Sequence, residues 1–373
     1  MAVKLGTNPI AWSNDDMPEL GGDTPLETCL AEAALAGFKG IEKGGKFPND
    51  AASMRAVLGR HGLDLISGWF SGELLGRGLE AEIEALRPHL ELLKACGAKL
   101  VIWAETTGTV QGRRDVPVAD RPVMRESDWP DYLRNIAKLA DWMAGNGMPM
   151  AFHHHMGTVI EKAHEIDRLL AGTPDSVGLL FDTGHLTFAG DDPAAVARKW
   201  AGRINHVHTK DVRPDVLRRA REERWSFLDS VLNGVYTVPG DGCIDFMAAL
   251  RPVADAGYAD GFEVTLDCPN NRYINDEEIC LAAAAMWAQL KVKVKVSAMP
   301  RALYFPKVEK MDVSLYMYGW GGAIERAEDA PPSPLQAAHA VSQAVRNNNG
   351  QDRGRASTVA MGTRQTIPST LEQ

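Results

Sequence analysis

Residues 151–158 read AFHHHMGT, and this stretch shows the pattern that decides the fold. An apolar run, typical of a buried strand, passes directly into polar and ionisable side chains. The pattern recurs in LLFDTGH (residues 179–185) and INHVHTKD (residues 204–211), and the three stretches hold six of the chain's ten histidines. Their spacing is that of successive β/α units, so the ends of neighbouring strands are predicted to converge on one site.

The same alternation of short apolar runs and amphipathic helical stretches extends from Val3 to about Asp267. Eight strands are predicted, at VKLGTNPI, FKGIEKG, LDLISGWF, AKLVIWAE, PMAFHHH, VGLLFDT, INHVHTKD and GFEVTLD. Thr24 is predicted to cap the first helix, with Pro25 as its first residue and Glu27 completing a capping box. Strands that alternate with helices pair in parallel through right-handed crossovers.

A closed (β/α)8 TIM barrel fits this order better than an open sheet. The first strand is not followed by GxGxxG, and nearly every predicted strand ends in polar residues. In barrels, active sites lie at the rim formed by those strand ends. We therefore assign residues 1–267 to a barrel domain.

The composition changes after Asp267. NDEEICLAAAAMWAQL is predicted to be a helix, and KVKVKVSAM alternates strictly, as a half-exposed strand does. Residues 268–330 are assigned to a separate segment whose first helix replaces the last barrel helix. Residues 331–373 are polar and lack sustained periodicity, so they are predicted to be a disordered tail.

Charge and composition disfavour several classes of protein. The net charge is −9, from 40 basic and 49 acidic residues, which disfavours a nucleic-acid-binding protein. The start carries no apolar signal-peptide core, and no apolar run is long enough to span a membrane. Five scattered cysteines fit the reducing cytoplasm, with Cys29 and Cys96 expected to be buried in helices.

A metal site is predicted at the ends of the three strands in residues 151–158, 179–185 and 204–211. Side chains alternate along a strand, so His153 and His155 share one face, as do His206 and His208. Asp182 ends the neighbouring strand. Oxygen and imidazole ligands together suit a divalent ion such as Mn²⁺, Co²⁺ or Zn²⁺. The alternative, rim histidines that only bind backbone carbonyls, stays open at this stage.

Further site candidates share a position at a strand end or directly after it: Asn8, Trp12, Glu42, Lys43, Glu105, Lys210 and Asp211. Buried charges need partners, and charged groups at strand ends face the rim. Lys210 is a candidate general base or carbonyl-polarising cation. For the charged candidates the alternative is an ordinary salt bridge, and for Asn8 and Trp12 it is packing.

Eight motifs closely resemble the inosose dehydratase family of the xylose-isomerase-like barrels: GTNPIAWSNDDMPELGGDTPLETCLAEA, FKGIEKGGKFPND, SGWFSG, WAETTGTVQG, FHHHMGTVIE, LLFDTGHLTFAG, INHVHTKDVRP and VYTVPGDGCIDF. The resemblance extends to about Gly261. It implies a hydro-lyase that removes water from a small cyclic polyol ketone, 2-keto-myo-inositol, to give a trihydroxycyclohexane-1,2-dione. It also implies Mn²⁺ or Co²⁺, and glutathione.

The resemblance implies site residues as well. Such barrels take one metal ligand from each of strands five to eight, which gives His153, Asp182 and His208. Leu266 stands where the fourth ligand, a glutamate, is expected. The implied proton-transfer groups are Lys210, Lys43 or Glu105 as base and His185 as acid. The implied substrate-binding residues are Asn8, Trp12, Glu42, His155, His206 and Asp211.

Residues from about 262 to 330 resemble part of an ABC-transporter dipeptide/oligopeptide-binding protein, so the chain resembles a chimera. We expect GFEVTLD to pair between strands seven and one and to close the barrel with an altered last unit. Three alternatives stay open: an isomerase or epimerase of the same superfamily, an inactive fusion, and a solute-binding module. Assembly into a homo-oligomer also stays open.

Overall fold

The computed structural model describes residues 5–258, 262–272, 276–288, 292–309 and 315–316. These residues form two compact units that divide between Pro252 and Val253. We call residues 5–252 the barrel unit and the described residues from 253 onward the C-terminal unit. The segment predicted to be disordered, residues 331–373, lies outside the described residues. No described helix is long and apolar enough to cross a membrane.

The barrel unit is built on a seven-stranded parallel sheet whose spatial order follows the chain. The strands are β1 (Gly6–Thr7), β2 (Gly40–Lys43), β3 (Asp64–Gly72), β4 (Val101–Glu105), β5 (Met150–His153), β6 (Val177–Asp182) and β7 (Ile204–His208). A short antiparallel pair, β8 (Asp211–Val212) and β9 (Tyr236–Thr237), follows the last of them. Parallel neighbours joined by helices confirm the predicted barrel class.

Eleven described α-helices accompany these strands. They are α1 (Leu26–Leu35), α2 (Ala51–Arg60), α3 (Leu74–Arg77), α4 (Leu79–Ala95), α5 (Trp129–Gly145), α6 (Ala163–Ala171), α7 (Thr183–Ala189), α8 (Pro193–Trp200), α9 (Pro214–Glu222), α10 (Phe227–Leu232) and α11 (Phe246–Asp255). On α5, Ile136, Leu139 and Met143 follow the helical spacing and are fully buried, which explains why this stretch packs as a helix.

The first helix corrects one prediction. It begins at Leu26, and its N-cap is Pro25, which has no side-chain capping hydrogen bond. The predicted capping box at Thr24 and Glu27 is therefore wrong. Glu27 is instead bound by Arg60 and His61, and the two charge-assisted contacts take the carboxylate away from the helix start.

The barrel sheet curls so that distant strands face one another. Strands β2 and β7 lie five places apart in the sheet, yet Glu42 on β2 accepts hydrogen bonds from His206 and His208 on β7. The concave side of the sheet therefore gathers the strand ends at one place. Below them on the same side, Ile102, Ala151 and Leu180 form a buried apolar cluster.

The C-terminal unit holds a separate three-stranded parallel sheet. Strand β10 (Phe262–Pro269) lies between β11 (Val292–Met299) and β12 (Leu315–Tyr316). Helix α12 (Asp276–Ala288) packs on β10 and β11, and α13 (Arg301–Glu309) follows β11. The strand predicted from KVKVKVSAM is thus present as β11.

The predicted pairing of GFEVTLD between strands seven and one is wrong. Residues 262–267 of this stretch belong to β10, and among the described residues β10 pairs with β11 and β12. Leu266 and Cys268 are buried against Val294 and Val296 of the adjacent strand, so local burial within the C-terminal unit competes with closure of the barrel. In the described part of the chain, the barrel sheet ends at β1 on one side and at β7 on the other. The last unit is altered, as expected, but as a sheet of its own.

The cysteines give a second correction. Cys268 of β10 and Cys280 of α12 form a disulfide, so the expectation that all five cysteines are reduced is wrong. The two residues meet because α12 returns across the strand that precedes it. Cys29 is buried in α1, as predicted, whereas Cys96 is only half-buried, directly after α4.

Candidate active site

Asp182 is the central residue of the candidate site. It ends β6 and begins α7, where its Oδ1 accepts a hydrogen bond of 3.0 Å from the backbone nitrogen of His185. This capping contact fixes the carboxylate and leaves Oδ2 for other groups. Asp182 lies opposite His208 in the pairing of β6 with β7, and His153 lies opposite Leu180, two residues earlier on the same face. Strand register alone thus brings the three residues together.

Four side chains converge on Oδ2 of Asp182. It lies 3.5 Å from His208 Nδ1, 3.8 Å from His153 Nε2 and 3.8 Å from His185 Nε2. The Lys210 ammonium donates a hydrogen bond to the same oxygen. The carboxylate is fully buried, so this ammonium is its compensating charge.

The hydrogen bonds of the histidines orient their rings. His153 Nδ1 donates to the carbonyl of His154 over 2.7 Å, which directs Nε2 of His153 towards Asp182. His155 Nδ1 donates in the same way to the carbonyl of Met156, over 3.0 Å. Each of these two rings thus has one nitrogen bound to a backbone carbonyl, and the other nitrogen of His153 has a different neighbour, Asp182. Metal-binding histidines commonly have such a contact on the second nitrogen.

The geometry of His153, Asp182 and His208 fits a divalent cation. Ligand atoms around a tetrahedral ion with bonds of about 2.0 to 2.2 Å lie about 3.3 to 3.6 Å apart. The 3.5 and 3.8 Å separations here are already close to that spacing, and the three ligand atoms all lie within 4.8 Å of one another. Two imidazoles and one carboxylate form a donor set suited to first-row transition metals.

Gly184 allows Lys210 to reach this position. A Cβ atom at Gly184 would lie 2.5 Å from Lys210 Cβ and 3.2 Å from the ring of Tyr236. The hydroxyl of Thr183 donates to the Lys210 carbonyl over 2.7 Å and holds the backbone in the same place. The start of α7 and the turn after β7 therefore approach one another at a distance that only glycine permits.

A second cluster surrounds Glu42, which is buried at the end of β2. Its Oε1 accepts hydrogen bonds of 2.9 Å from Ser67, 2.8 Å from His206 and 2.9 Å from His208. Its Oε2 accepts one of 2.6 Å from Asn8. The two clusters share His208, whose Nε2 faces Glu42 and whose Nδ1 faces Asp182.

Burial and the neighbouring charges act in opposite directions on the acids. Burial alone would raise the pKa of Glu42, but the charge of His208 and the His206 hydrogen bond hold it well below its usual range. Burial would likewise raise the pKa of Asp182, but the charge of Lys210 and the hydrogen bond from His208 hold it well below its usual range. Both carboxylates are therefore ionised and able to hold cations.

The pKa values of the buried histidines shift in different directions. It lowers the pKa of His153 and His185 well below the ordinary value. Burial also acts to lower the pKa of His208, but the charge of Glu42 and the hydrogen bonds that His208 donates to both carboxylates raise it to about 9. His153 and His185 are thus neutral at physiological pH, the form in which an imidazole binds metal.

Asp211, a predicted substrate-binding residue, is held by a loop instead. Its fully buried carboxylate accepts hydrogen bonds from the backbone nitrogens of Gly240, Gly242 and Ile244, at 2.9 to 3.0 Å. These contacts close the loop that follows β9. They give the residue a structural task that its neighbour Lys210 does not share.

Glu105 and Trp12 also have their polar contacts elsewhere. The Glu105 carboxylate accepts hydrogen bonds from the backbone nitrogens of Leu75 and Thr107, and burial raises its pKa to about 7. Trp12 donates from its ring nitrogen to Glu32 over 2.6 Å.

Lys43 follows Glu42 on β2, so strand alternation turns its side chain to the opposite face. Burial lowers the pKa of Lys43, and the charge of Asp15 counteracts this effect. Of the predicted candidates near β2, the structure therefore brings Asn8 and Glu42 to the clusters and directs Lys43 elsewhere.

Tyr236 is a site residue that sequence reasoning missed. Its hydroxyl lies 3.1 Å from Nδ1 of His185, and its ring packs against His185 and Phe227. Burial raises the pKa of the phenol well above its ordinary value, so the hydroxyl stays protonated and donates a hydrogen bond to the ring nitrogen. Tyr236 lies in VYTVPGDGCIDF, outside every predicted strand. Its presence in that motif was the available signal.

Comparison with known proteins agrees with the fold and the motifs. The family model described as a xylose isomerase-like TIM barrel matches residues 30–290. The chain belongs to this family. It is 51% identical over 261 residues to the rhizopine catabolism protein MocC of Rhizobium meliloti, a match that covers 69% of this chain and 79% of that protein.

A second relative is the inosose dehydratase of Geobacillus thermodenitrificans. The identity is 46% over 264 residues, covering 70% of this chain and 89% of the relative. Among solved structures, a xylose isomerase-like TIM barrel/4-hydroxyphenylpyruvate dioxygenase fusion protein aligns with a TM-score of 0.50 at 16% identity. That alignment covers 69% of this chain and 38% of the fusion protein, and it supports the fold alone.

Proposed function

We propose that this chain is a hydro-lyase of the inosose dehydratase type, which removes water from 2-keto-myo-inositol to give a trihydroxycyclohexane-1,2-dione. The observation that carries the proposal is the 46% identity to an inosose dehydratase across 89% of that protein. The candidate active site supports it, because a buried carboxylate, three imidazoles and an amine surround one position.

In this proposal His153, Asp182 and His208 hold a divalent cation, with Mn²⁺ or Co²⁺ as the metal. When bound, such a cation polarises a ketone oxygen and makes the neighbouring carbon more acidic. Glutathione as a co-reactant, the cytoplasm as the compartment and assembly of several copies belong to the same proposal. Two observations support a metal at this position: the spacing of the ligand atoms, and the mixed donor set of imidazoles and a carboxylate.

The side chains divide the proton transfers between them. Lys210 first releases its ammonium proton to water and then accepts, as an amine, the proton α to the ketone. Its contact with Asp182 places it closer to the site than Lys43 or Glu105. His185, which the sequence indicated as the acid, is neutral at rest and donates a hydrogen bond from Nε2–H to the departing hydroxyl. Tyr236 fixes that tautomer through Nδ1. The proton taken by Lys210 then completes the water.

The remaining polar groups position the substrate. Asn8, Glu42, His155 and His206 line the adjacent region and offer donors and acceptors suited to the hydroxyls of a cyclic polyol. Trp12 and Asp211 were predicted for the same task, and their contacts with Glu32 and with the 240–244 loop give them less support.

The test is turnover of 2-keto-myo-inositol by the full chain, followed by mass spectrometry of the product. A dehydratase gives a product lighter by one water, whereas an isomerase or epimerase gives a product of unchanged mass. Activity should disappear on chelation of divalent metal and in Asp182→Asn. A full chain that remains folded and metal-loaded but produces no dione contradicts the proposal and favours the inactive fusion.

The 51% identity to the rhizopine catabolism protein favours a second candidate, a role in rhizopine breakdown. The same assay with rhizopine in place of the ketone separates the two. Faster conversion of rhizopine than of 2-keto-myo-inositol would favour this second candidate.

A further inference from the structure

Three hydrogen-bond donors converge on one oxygen of Glu42, at 2.8 to 2.9 Å. Two of them are imidazoles, His206 and His208, which lie on the same face of β7 because side chains alternate along a strand. The Glu42 side chain is 4% exposed, while the side chains of His206 and His208 are 14% and 18% exposed. An ionised acid is thus buried behind two rings that solvent can reach.

The proposed function uses only one side of His208. Its Nδ1 faces Asp182, and its Nε2 faces Glu42. One imidazole therefore presents each of its nitrogens to a different buried carboxylate.

We propose that Glu42, His206 and His208 form a second position for a divalent transition-metal cation. Their ligand atoms lie within 4.8 Å of one another. Two imidazole nitrogens and one glutamate oxygen are the protein ligands of many zinc sites that keep an open coordination position. Asn8 on the other carboxylate oxygen holds Glu42 in place, as a supporting contact does for a metal ligand.

The distances rank the two positions. Around His153, Asp182 and His208 the ligand atoms are separated by 3.5 and 3.8 Å. Around Glu42 they are drawn together to 2.8 and 2.9 Å, so they must separate by about 0.5 Å to admit an ion with bonds of about 2.0 Å. The position at Asp182 should therefore fill first.

Two further effects weaken the second position while the first is filled. Like charges on the two sides of one imidazole repel, and Nε2 of His208 must release its proton to water before it binds. We expect the second ion to bind at least about tenfold more weakly than the first. This inference goes beyond the proposed function, since neither the substrate nor the reaction enters it.

The experiment is a Co²⁺ titration of the full chain after removal of metal with a chelator. Bound cobalt is counted by elemental analysis, and its visible absorption reports the coordination. The chain should bind two ions in two steps, and His206→Gln should lose the weaker step only. Asp182→Asn should lose the tighter step and keep a single ion, which the double variant with His206→Gln then loses.

His164 provides a matched control. Its side chain is 73% exposed, so His164→Gln removes one histidine without touching either cluster and should leave both steps unchanged. One bound ion in the unaltered chain, or a second step that survives His206→Gln, overturns the inference. If circular dichroism shows that His206→Gln is unfolded, Glu42→Gln carries the same test. Loss of activity with both steps intact would count against the proposed function and leave this inference standing.

Discussion

Replacing Leu266 by glutamate distinguishes the arrangement found here from the one the motifs imply. If the strand that carries Leu266 completed the barrel, the new carboxylate would supply the fourth metal ligand. In the structure Leu266 is instead 4% exposed and packs with Cys268, Cys280 and Val296 in the C-terminal unit. A carboxylate enclosed by these apolar side chains is not available to a cation, so Leu266→Glu should leave metal affinity unchanged.

The substitution should instead destabilise the C-terminal unit. Loss of the buried leucine side chain costs about 2 kcal/mol. Keeping a glutamate protonated at neutral pH in an apolar site costs about 3 kcal/mol more, since each pKa unit corresponds to about 1.4 kcal/mol. The total of about 5 kcal/mol is comparable to the whole stability of a small domain. Leu266→Met, which keeps the volume and the apolar character, should cost less than about 1.5 kcal/mol.

Two measurements on the full chain test this reasoning. Hydrogen exchange should become faster in peptides from β10, β11 and α12 of the glutamate variant, and remain slow in peptides from β4 to β6. Divalent-metal titration should give the same affinity for the glutamate, methionine and unaltered chains. Metal affinity that rises at least about tenfold in Leu266→Glu and not in Leu266→Met would show that this strand belongs to the barrel and refute the assignment of β10.

Three further predictions concern the barrel unit. Tyr236→Phe keeps the ring but removes the hydroxyl bound to His185, so turnover should fall about 10- to 100-fold; steady-state kinetics and unaltered thermal unfolding would check this. Gly184→Ala places a methyl group 2.5 Å from Lys210 Cβ, and turnover should fall by at least about tenfold while Co²⁺ still binds; unchanged turnover would show that the close approach is dispensable. Burial raises the pKa of Glu105 to about 7. The folded chain therefore binds the carboxyl proton of Glu105 more tightly than the unfolded chain does. The free energy of unfolding should therefore fall by about 3 kcal/mol between pH 4.5 and 7 on its account, and Glu105→Gln should remove that part of the pH dependence in denaturant titrations.

The sequence predicted the barrel unit well because its signals are local. Apolar runs that end in polar residues gave β2 to β7, and the helical spacing on α5 gave a long buried helix. The pairing of Asp182 with His208 followed from two adjacent strand ends. His155 does lie beside His153, with the ring centroids 5.3 Å apart. Because β5 ends at His153, the turn after the strand places His155, and strand alternation does not.

The partners of charged side chains could not be predicted in this way. Asp211 follows a strand end just as Asp182 does, yet it binds the backbone of a loop about thirty residues later. Which of two such acids reaches the site depends on the course of that loop. The position of GFEVTLD could not be predicted for a similar reason. Strand propensity and alternation predict that it is a strand, but they favour neither of the two sheets that it could join.

The candidate site does not depend on an eighth strand for its present geometry. Asp182 is fixed by the start of α7, His153 by a carbonyl of its own strand, and His208 by Glu42 across the curled sheet. All of these contacts lie inside the barrel unit. A three-ligand site is sufficient for many catalytic zinc enzymes, which keep the fourth position for water or substrate. The absence of a glutamate at position 266 therefore affects how strongly metal is held more than whether the remaining ligands are correctly placed, and metal affinity is the quantity that decides whether this barrel is active.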